Sequence, residues 1–238
     1  MSINENNMYT DGSYLSKNPS WHSEDSKWKA EEINKMIKRN KLAPVSVADA
    51  GCGAGQVLLH LSELNPGITE LRGFDISPQA IEMARKSENP KVKFYQADIA
   101  NEITGTFSLI LVIDVIEHLN DYAAFLHRIS TKAEQFIFHI PLDLSFRTIM
   151  KPHILLQQRN DVGHIHYFSK EQVEWIMKDA GFSITDRFYT LPEIDREKPA
   201  SFKNWVKKIL RKISFSLNKD MSAKLWGGYS IMILATKK

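Results

Sequence analysis

A single cysteine, Cys52, occurs in the 238 residues, so the chain can form no internal disulfide and has no thiolate set to cage zinc or an iron–sulfur cluster. Long apolar runs are missing too: none approaches the roughly 18 to 20 residues that cross a bilayer. The N-terminal stretch MSINENNMYTDGSYLSKNPS has no basic start, apolar segment or small-residue cleavage site, which argues against a secretory leader. A soluble protein of the reducing cytoplasm is expected. No internal repeat or low-complexity tract is present, and neither sign of charge dominates: 31 Lys+Arg stand against 28 Asp+Glu, a net charge of +3. That total conceals a split, since residues 1–195 hold 20 basic and 26 acidic side chains and residues 196–238 hold 11 and 2. An acidic body carries a basic C-terminal element.

What the chain does have is a repeated alternation. Apolar runs at 45–50, 71–76, 92–97, 107–115 and 135–140, bounded by Gly, Pro, Asp or Asn and the last stopping at Pro141, read as strands. Helical periodicity follows at 56–64, 78–86 and 121–129, with Ser77 as a cap and Pro78 at the first helical position. The run FSLILVIDV at 107–115 is the most continuously apolar, as a central strand covered on both faces should be. Ser169, with Glu171 and Gln172 in the next turn, opens another helix that Gly181 closes. Residues 182–189 and 229–236 supply two more strands, expected to pair as a hairpin-like edge. The spacing predicts an α/β fold: a Rossmann-like, seven-stranded, mostly parallel sheet with helices on both faces and the last strand antiparallel. Residues 1–41 are expected to form a helical cap on a domain at 42–238, whose less regular stretch 142–168 and insert 190–228 make the substrate side.

The first strand runs into Asp49-Ala50-Gly51-Cys52-Gly53-Ala54-Gly55, and a helix follows at once. Glycines there let the backbone turn tightly and approach a ligand, while free amides at the helix start offer hydrogen bonds. The dinucleotide pattern G-x-G-x-x-G is not met, because Gln56 stands where its last glycine would be, and no Gly-Lys-Ser/Thr marks a phosphate loop. Asp75 ends the second strand and Asp98 the third. A carboxylate at the carboxyl end of a parallel strand can accept from ribose hydroxyls, and one on the next strand can accept from an adenine amine. These acids and the glycine turn describe a pocket for a nucleoside without a phosphate.

In order along residues 45–119, the segments VADAGCGAGQVLLHL, LRGFDISPQAIEMAR, VKFYQADIAN and FSLILVIDVIEHL resemble the successive motifs of the class I S-adenosylmethionine-dependent methyltransferases. The resemblance implies S-adenosylmethionine as cofactor and S-adenosylhomocysteine as product. It would place Asp49, Gly51, Cys52, Gly53 and Gly55 around the methionine part, Asp75 with Ile76 at the ribose, and Asp98 with Ile99 at the adenine. Asp114 would complete the methionine pocket. Residues 163–182, GHIHYFSKEQVEWIMKDAGF, are further similar to the region before strand six in ubiquinone-biosynthesis-like and sugar-modifying methyltransferases, which implies a small-molecule acceptor.

Methyl transfer from a sulfonium is an in-line displacement, and it needs a base only when the acceptor is a hydroxyl or a protonated amine. His118 after the fourth strand, and His164 and His166 before the Ser169 helix, are the candidate bases. Each could equally be a structural histidine. Asp114-x-x-Glu117-His118 is also similar to the E-x-x-E-H metal site of some quinone O-methyltransferases, so these three are the alternative set for a divalent metal, although none is expected. Cys52 reads as a tolerated small residue of the turn. The Asp/Asn-Pro-Pro-Tyr/Phe of DNA amino-methyltransferases is replaced by Asp114-Val115-Ile116-Glu117, which disfavours a nucleic-acid substrate. O-methylation of a small molecule is therefore favoured over N-methylation. The rival classes are a nicotinamide-dependent oxidoreductase, which the glycine spacing opposes, and a non-catalytic module that binds the cofactor.

Two further features bear on partners. Tyr9, Tyr14, Trp21, His22 and Trp28 could close over a substrate or simply anchor the terminus. The helix at 201–217 gathers Phe202, Trp205, Val206, Ile209, Leu210, Ile213 and Leu217 on one face, with Lys203, Lys207, Lys208, Arg211 and Lys212 around it. It could lie on an anionic membrane, pack on the sheet, act as a lid or join two copies in a homodimer.

Overall fold

The computed structural model describes residues 7–21, 23–191 and 201–238, which leaves His22 outside the described residues. Helices α1 (Asn7–Thr10), α2 (Ser13–Lys17) and α3 (Ser26–Arg39) precede β1 (Ser46–Ala50). Then come α4 (Gln56–Leu64), β2 (Glu70–Asp75), α5 (Pro78–Arg85), β3 (Val92–Gln96), α6 (Ile99–Glu102), β4 (Phe107–Ile113), α7 (Tyr122–Ile129) and β5 (Ala133–Leu142). The chain continues with α8 (Phe146–Met150), α9 (His153–Val162), α10 (Lys170–Asp179), β6 (Phe182–Thr190), α11 (Phe202–Leu217), α12 (Lys219–Trp226) and β7 (Tyr229–Lys237).

The strands form one seven-stranded sheet in the order β3-β2-β1-β4-β5-β7-β6. Neighbours among β1 to β5 pair in parallel, and β7 runs antiparallel to both β5 and β6. The last two strands do pair, but the C-terminal one is inserted between β5 and β6 and the edge is β6. Their side chains show why. Every residue of β7 from Tyr229 to Ala235 is buried, as an internal strand requires, whereas β6 exposes Thr185 and Arg187 and carries a register shift between Ile184 and Asp186. Such irregularity blunts an edge against further pairing.

Strand β5 also runs on through Pro141, which pairs with Ser230. The His139 carbonyl accepts from the Asp114 amide on the β4 side, so the nitrogen of residue 141, two positions on, faces that same side. β4 has already ended there, and the missing N–H costs no ladder bond. The stretch 142–168, read as irregular, contains α8 and α9. Ser145 and Thr148 build a capping box on α8, and Gly163, at φ 81°, ends α9. No residue of α9 is fully buried, so it gives little apolar periodicity to read.

Packing divides into one core on each face of the sheet. One gathers Phe125, Leu126, Phe136, Phe138, Val173, Met177 and Phe182. The other joins Ala30, Ile33, Met36 and Ile37 of α3 to Leu58 and Leu61 of α4 and to Leu71, Ile81 and Leu109. The expected cap therefore splits at the start of α3: that helix belongs to the main core, and the segment before it lies over the site described next.

Candidate functional site

Strand order reverses between β1 and β4, and a ligand crevice is expected outside the carboxyl ends at such a switch point. A cavity of about 470 Å³ opens there. It is lined by Asp49, Gly51, Cys52, Gly53, Gly55, Asp75, Ile76, Asp98, Ile99, Asp114, Glu117, His118 and His164. His166 is not among its walls. Its Nε2 lies 2.9 Å from the Leu119 carbonyl and its ring packs on Tyr122 and Phe168, which makes it structural and removes it from the candidate bases.

The turn after β1 uses three left-handed glycines, with φ of 74° at Gly51, 53° at Gly53 and 78° at Gly55. A Cβ at Gly55 would stand 2.4 Å from the Phe94 ring, and one at Gly51 would stand 2.8 Å from Val115. At Gly53 the near atom among the described residues would belong to Trp21, at 3.8 Å, so the turn there faces the cavity beneath an indole. The Gly53 amide donates to Asp75 Oδ2 at 2.9 Å and the Ser77 amide to Oδ1 at 2.8 Å. These bonds fix the Asp75 carboxyl while leaving lone pairs for further donors.

Asp49 is 2% exposed and its Oδ1 has no hydrogen-bond partner. Burial, and then the charge of Asp75, push its carboxyl up to about 8, with Lys29 opposing. An unsatisfied acid in this place suits a cationic ligand group. Asp98 lies on the wall but spends both oxygens on α6, accepting from the Ala100 amide and the Asn101 side chain. Cys52 is buried, and burial, followed by the charges of Asp75 and Asp49, pushes its thiol well up, which keeps it an unreactive thiol. Together the orphaned Asp49, the open Gly53 cradle, the fixed Asp75 carboxyl and the apolar Ile76 and Ile99 fit S-adenosylmethionine. They offer an acid for its cationic end, a carboxylate for its ribose and apolar walls for its purine.

The rest of the cavity wall includes residues after β4 and β5. His118 Nδ1 lies 3.1 Å from the Gly163 carbonyl oxygen and 2.9 Å from Tyr9 Oη. A carbonyl can only accept, so Nδ1 carries the proton and Nε2 is the basic nitrogen. His164 is held in the same tautomer by Asp143, whose Oδ2 accepts from Nδ1 at 2.8 Å. Glu117 is fully buried, and among the described residues neither of its oxygens has a hydrogen-bond partner, although His118 Nε2 lies 3.9 Å from Oε1. Burial, and next the charge of Asp114, push its carboxyl well above the usual range.

Asp114 occupies a left-handed conformation, φ 54°, with Oδ2 2.7 Å from Lys29 Nζ and Oδ1 2.6 Å from His139 Nδ1. Burial alone would raise its carboxyl, but His139 and Lys29 outweigh that and hold it well below the carboxylate range. Both oxygens being committed, Asp114 does not join Glu117 and His118 as a metal set. Among the described residues the side chains whose ligand atoms come within 4.8 Å of one another are Glu117, His118 and His164.

Lys29, His139 and Asp143 were not legible as site residues. Lys29 reaches in from α3, His139 is a polar side chain inside an apolar strand whose Nε2 meets Thr190 at 2.8 Å, and Asp143 lies in a stretch with no motif. The signal that existed was His139 itself, since a buried histidine within a run of Phe and Ile needs partners. Tyr9, Tyr14, Trp21 and Trp28 all line the cavity.

Comparison with known proteins agrees with this geometry. The model of the family described as "Methyltransferase domain" matches residues 21–186. A ubiquinone biosynthesis O-methyltransferase of Methylocella silvestris is 31% identical over 99 residues, 37% of this chain and 38% of that protein. A norajmaline N-methyltransferase of Rauvolfia serpentina is 32% identical over 90 residues, 35% of this chain and 30% of that protein. The chain thus matches between 30% and 38% of the length of these curated relatives. In fold it is similar to the magnesium protoporphyrin IX methyltransferase of Synechocystis PCC 6803 solved with S-adenosylhomocysteine bound, at a TM-score of 0.59 and 17% identity over 89% of this chain and 83% of that one. The chain belongs to the methyltransferase domain family.

Proposed function

We propose that the protein methylates a hydroxyl of a small-molecule acceptor, with His164, oriented by Asp143, as the base. The observation that carries this is the pair itself: a carboxylate that fixes the tautomer of an imidazole lining the cavity. When bound, S-adenosylmethionine would supply a methyl carbon on a positively charged sulfur, with a neutral thioether as leaving group. His164 Nε2 would take the proton that the acceptor hydroxyl gives up in that displacement. The resulting imidazolium is stabilised by Asp143. Gly53 and Asp75 hold the nucleoside end, and Trp21 and Tyr14 exclude water above it.

A hydroxyl is preferred because a neutral amine would not need such a base, although the curated relatives include one protein named for each chemistry. The test is methyl transfer to a panel of phenols, sugars and amines, read as S-adenosylhomocysteine formed. Hydroxyl acceptors turning over in the wild type and falling roughly a hundredfold in His164→Gln is the expected result. Turnover restricted to amines, or unaffected by His164→Gln, would overturn the reading.

A further inference from the structure

Helix α11 faces the wrong way for a core helix. The side chains that hold it to the body are Arg211, whose Nη2 donates to the Gly227 carbonyl at 2.7 Å; Ser214, which accepts from Trp226 Nε1 at 3.0 Å; and Phe215, which stacks on Tyr229 at 5.1 Å. Residues two apart lie nearly opposite at roughly 100° per residue, so Ile213 and Leu217 point away from that contact. They are 52% and 82% exposed, and Phe202 is 78% exposed. Trp205 and Leu210 are exposed beside them. Lys207 and Lys212, also exposed, flank this stripe on either side.

The neighbouring helices continue the pattern. α11 packs on α12 and α12 on α8, and these expose Met221 and Leu225, and Phe146, Ile149 and Met150. So many exposed apolar side chains are unusual for a surface in contact with water alone. Residues 192–200, PEIDREKPA, bring one large apolar side chain and five charged ones, a composition unsuited to covering an apolar stripe.

We propose that α11 lies in the headgroup region of an anionic lipid bilayer, its Phe202, Trp205, Leu210, Ile213 and Leu217 face inserted and its lysines against the phosphates. Charge selects this occupant. Residues 201–238 carry nine Lys+Arg and one Asp+Glu, and a helix with an apolar face rimmed by lysine has the form of an interfacial element. A second copy would bring the same positive charge to the contact. Among the described residues no helix is long and apolar enough to cross a membrane, so the helix would lie on the bilayer and not span it.

The experiment is flotation of the full chain with vesicles, a readout that needs no acceptor and so stands or falls apart from the methyl-transfer reading. Vesicles of equal phosphatidylcholine and phosphatidylglycerol should bind the protein at low salt at least about tenfold better than phosphatidylcholine alone, and added salt should release it. Ile213→Gln with Leu217→Gln, at exposed positions, should weaken that binding about tenfold or more while S-adenosylhomocysteine binding is retained. Lys207→Gln with Lys212→Gln should remove the preference for the anionic lipid. Equal binding to both vesicles, binding to neither, or no effect of the apolar pair would overturn the proposal. So would a concentration-dependent dimer, seen by light scattering, that the same pair dissolves.

Discussion

His164 presents Nδ1 to Asp143 at 2.8 Å, and the other oxygen of that carboxylate accepts from the Gln158 amide at 2.7 Å. The proposed base is thus held through a relay that begins on α9, a helix with no fully buried residue. Replacing Asp143 by Asn keeps the shape but lets an amide N–H face Nδ1, which favours the wrong tautomer. Asp143→Asn should lower kcat roughly a hundredfold while KM for S-adenosylmethionine stays within about twofold, measured by initial rates.

Asp75 is expected to hold the ribose as well as the turn. Asp75→Asn should weaken S-adenosylhomocysteine binding by at least about tenfold, since hydrogen bonds to a charged group are worth about 1.5–3 kcal/mol. Titration calorimetry checks this, and an unchanged affinity would remove Asp75 from the cofactor site.

The alternation of strand and helix in the first 140 residues was legible because each strand there is buried on both faces and each helix has one apolar stripe. The cofactor wall was legible for a related reason: its glycines and acids are adjacent in sequence to the strand ends that position them. The acceptor wall was not. Lys29, His139 and Asp143 come from three distant segments and meet Asp114 or His164 only once the sheet has closed, and no local spacing announces such a meeting. The order of the last strands was half legible, since the continuous YSIMILA of β7 set against the alternating β6 already distinguishes an internal strand from an edge.

Gly55→Ala should destabilise the protein by about 1–3 kcal/mol or more in urea unfolding. The new Cβ would sit 2.4 Å from the buried Phe94 ring and the residue holds φ at 78°, so both overpacking and a left-handed conformation oppose it. An unchanged midpoint would show that the turn relaxes freely.

Asp49 makes stability depend on pH in a stated direction. In the unfolded chain it titrates near 4, and in the folded protein at about 8. Between these values the native state binds the extra proton, so its stability falls as pH rises, by up to about 1.4 kcal/mol per unit. Asp49→Asn should make that slope shallower in denaturant titrations across the window. A cationic donor favours the ionised acid, so wild-type binding of S-adenosylmethionine near neutral pH should release protons, seen as a dependence of the binding enthalpy on the buffer.

Strand β7 follows β6 in sequence, yet it lies between β5 and β6 and brings Ser230 to the cavity wall. Strand β6 therefore reaches β5 only through β7, which pairs with both. One strand holds the two ends of the Thr190–His139 contact in place, and a substitution that loosens β7 would disturb the sheet edge and the cavity wall together.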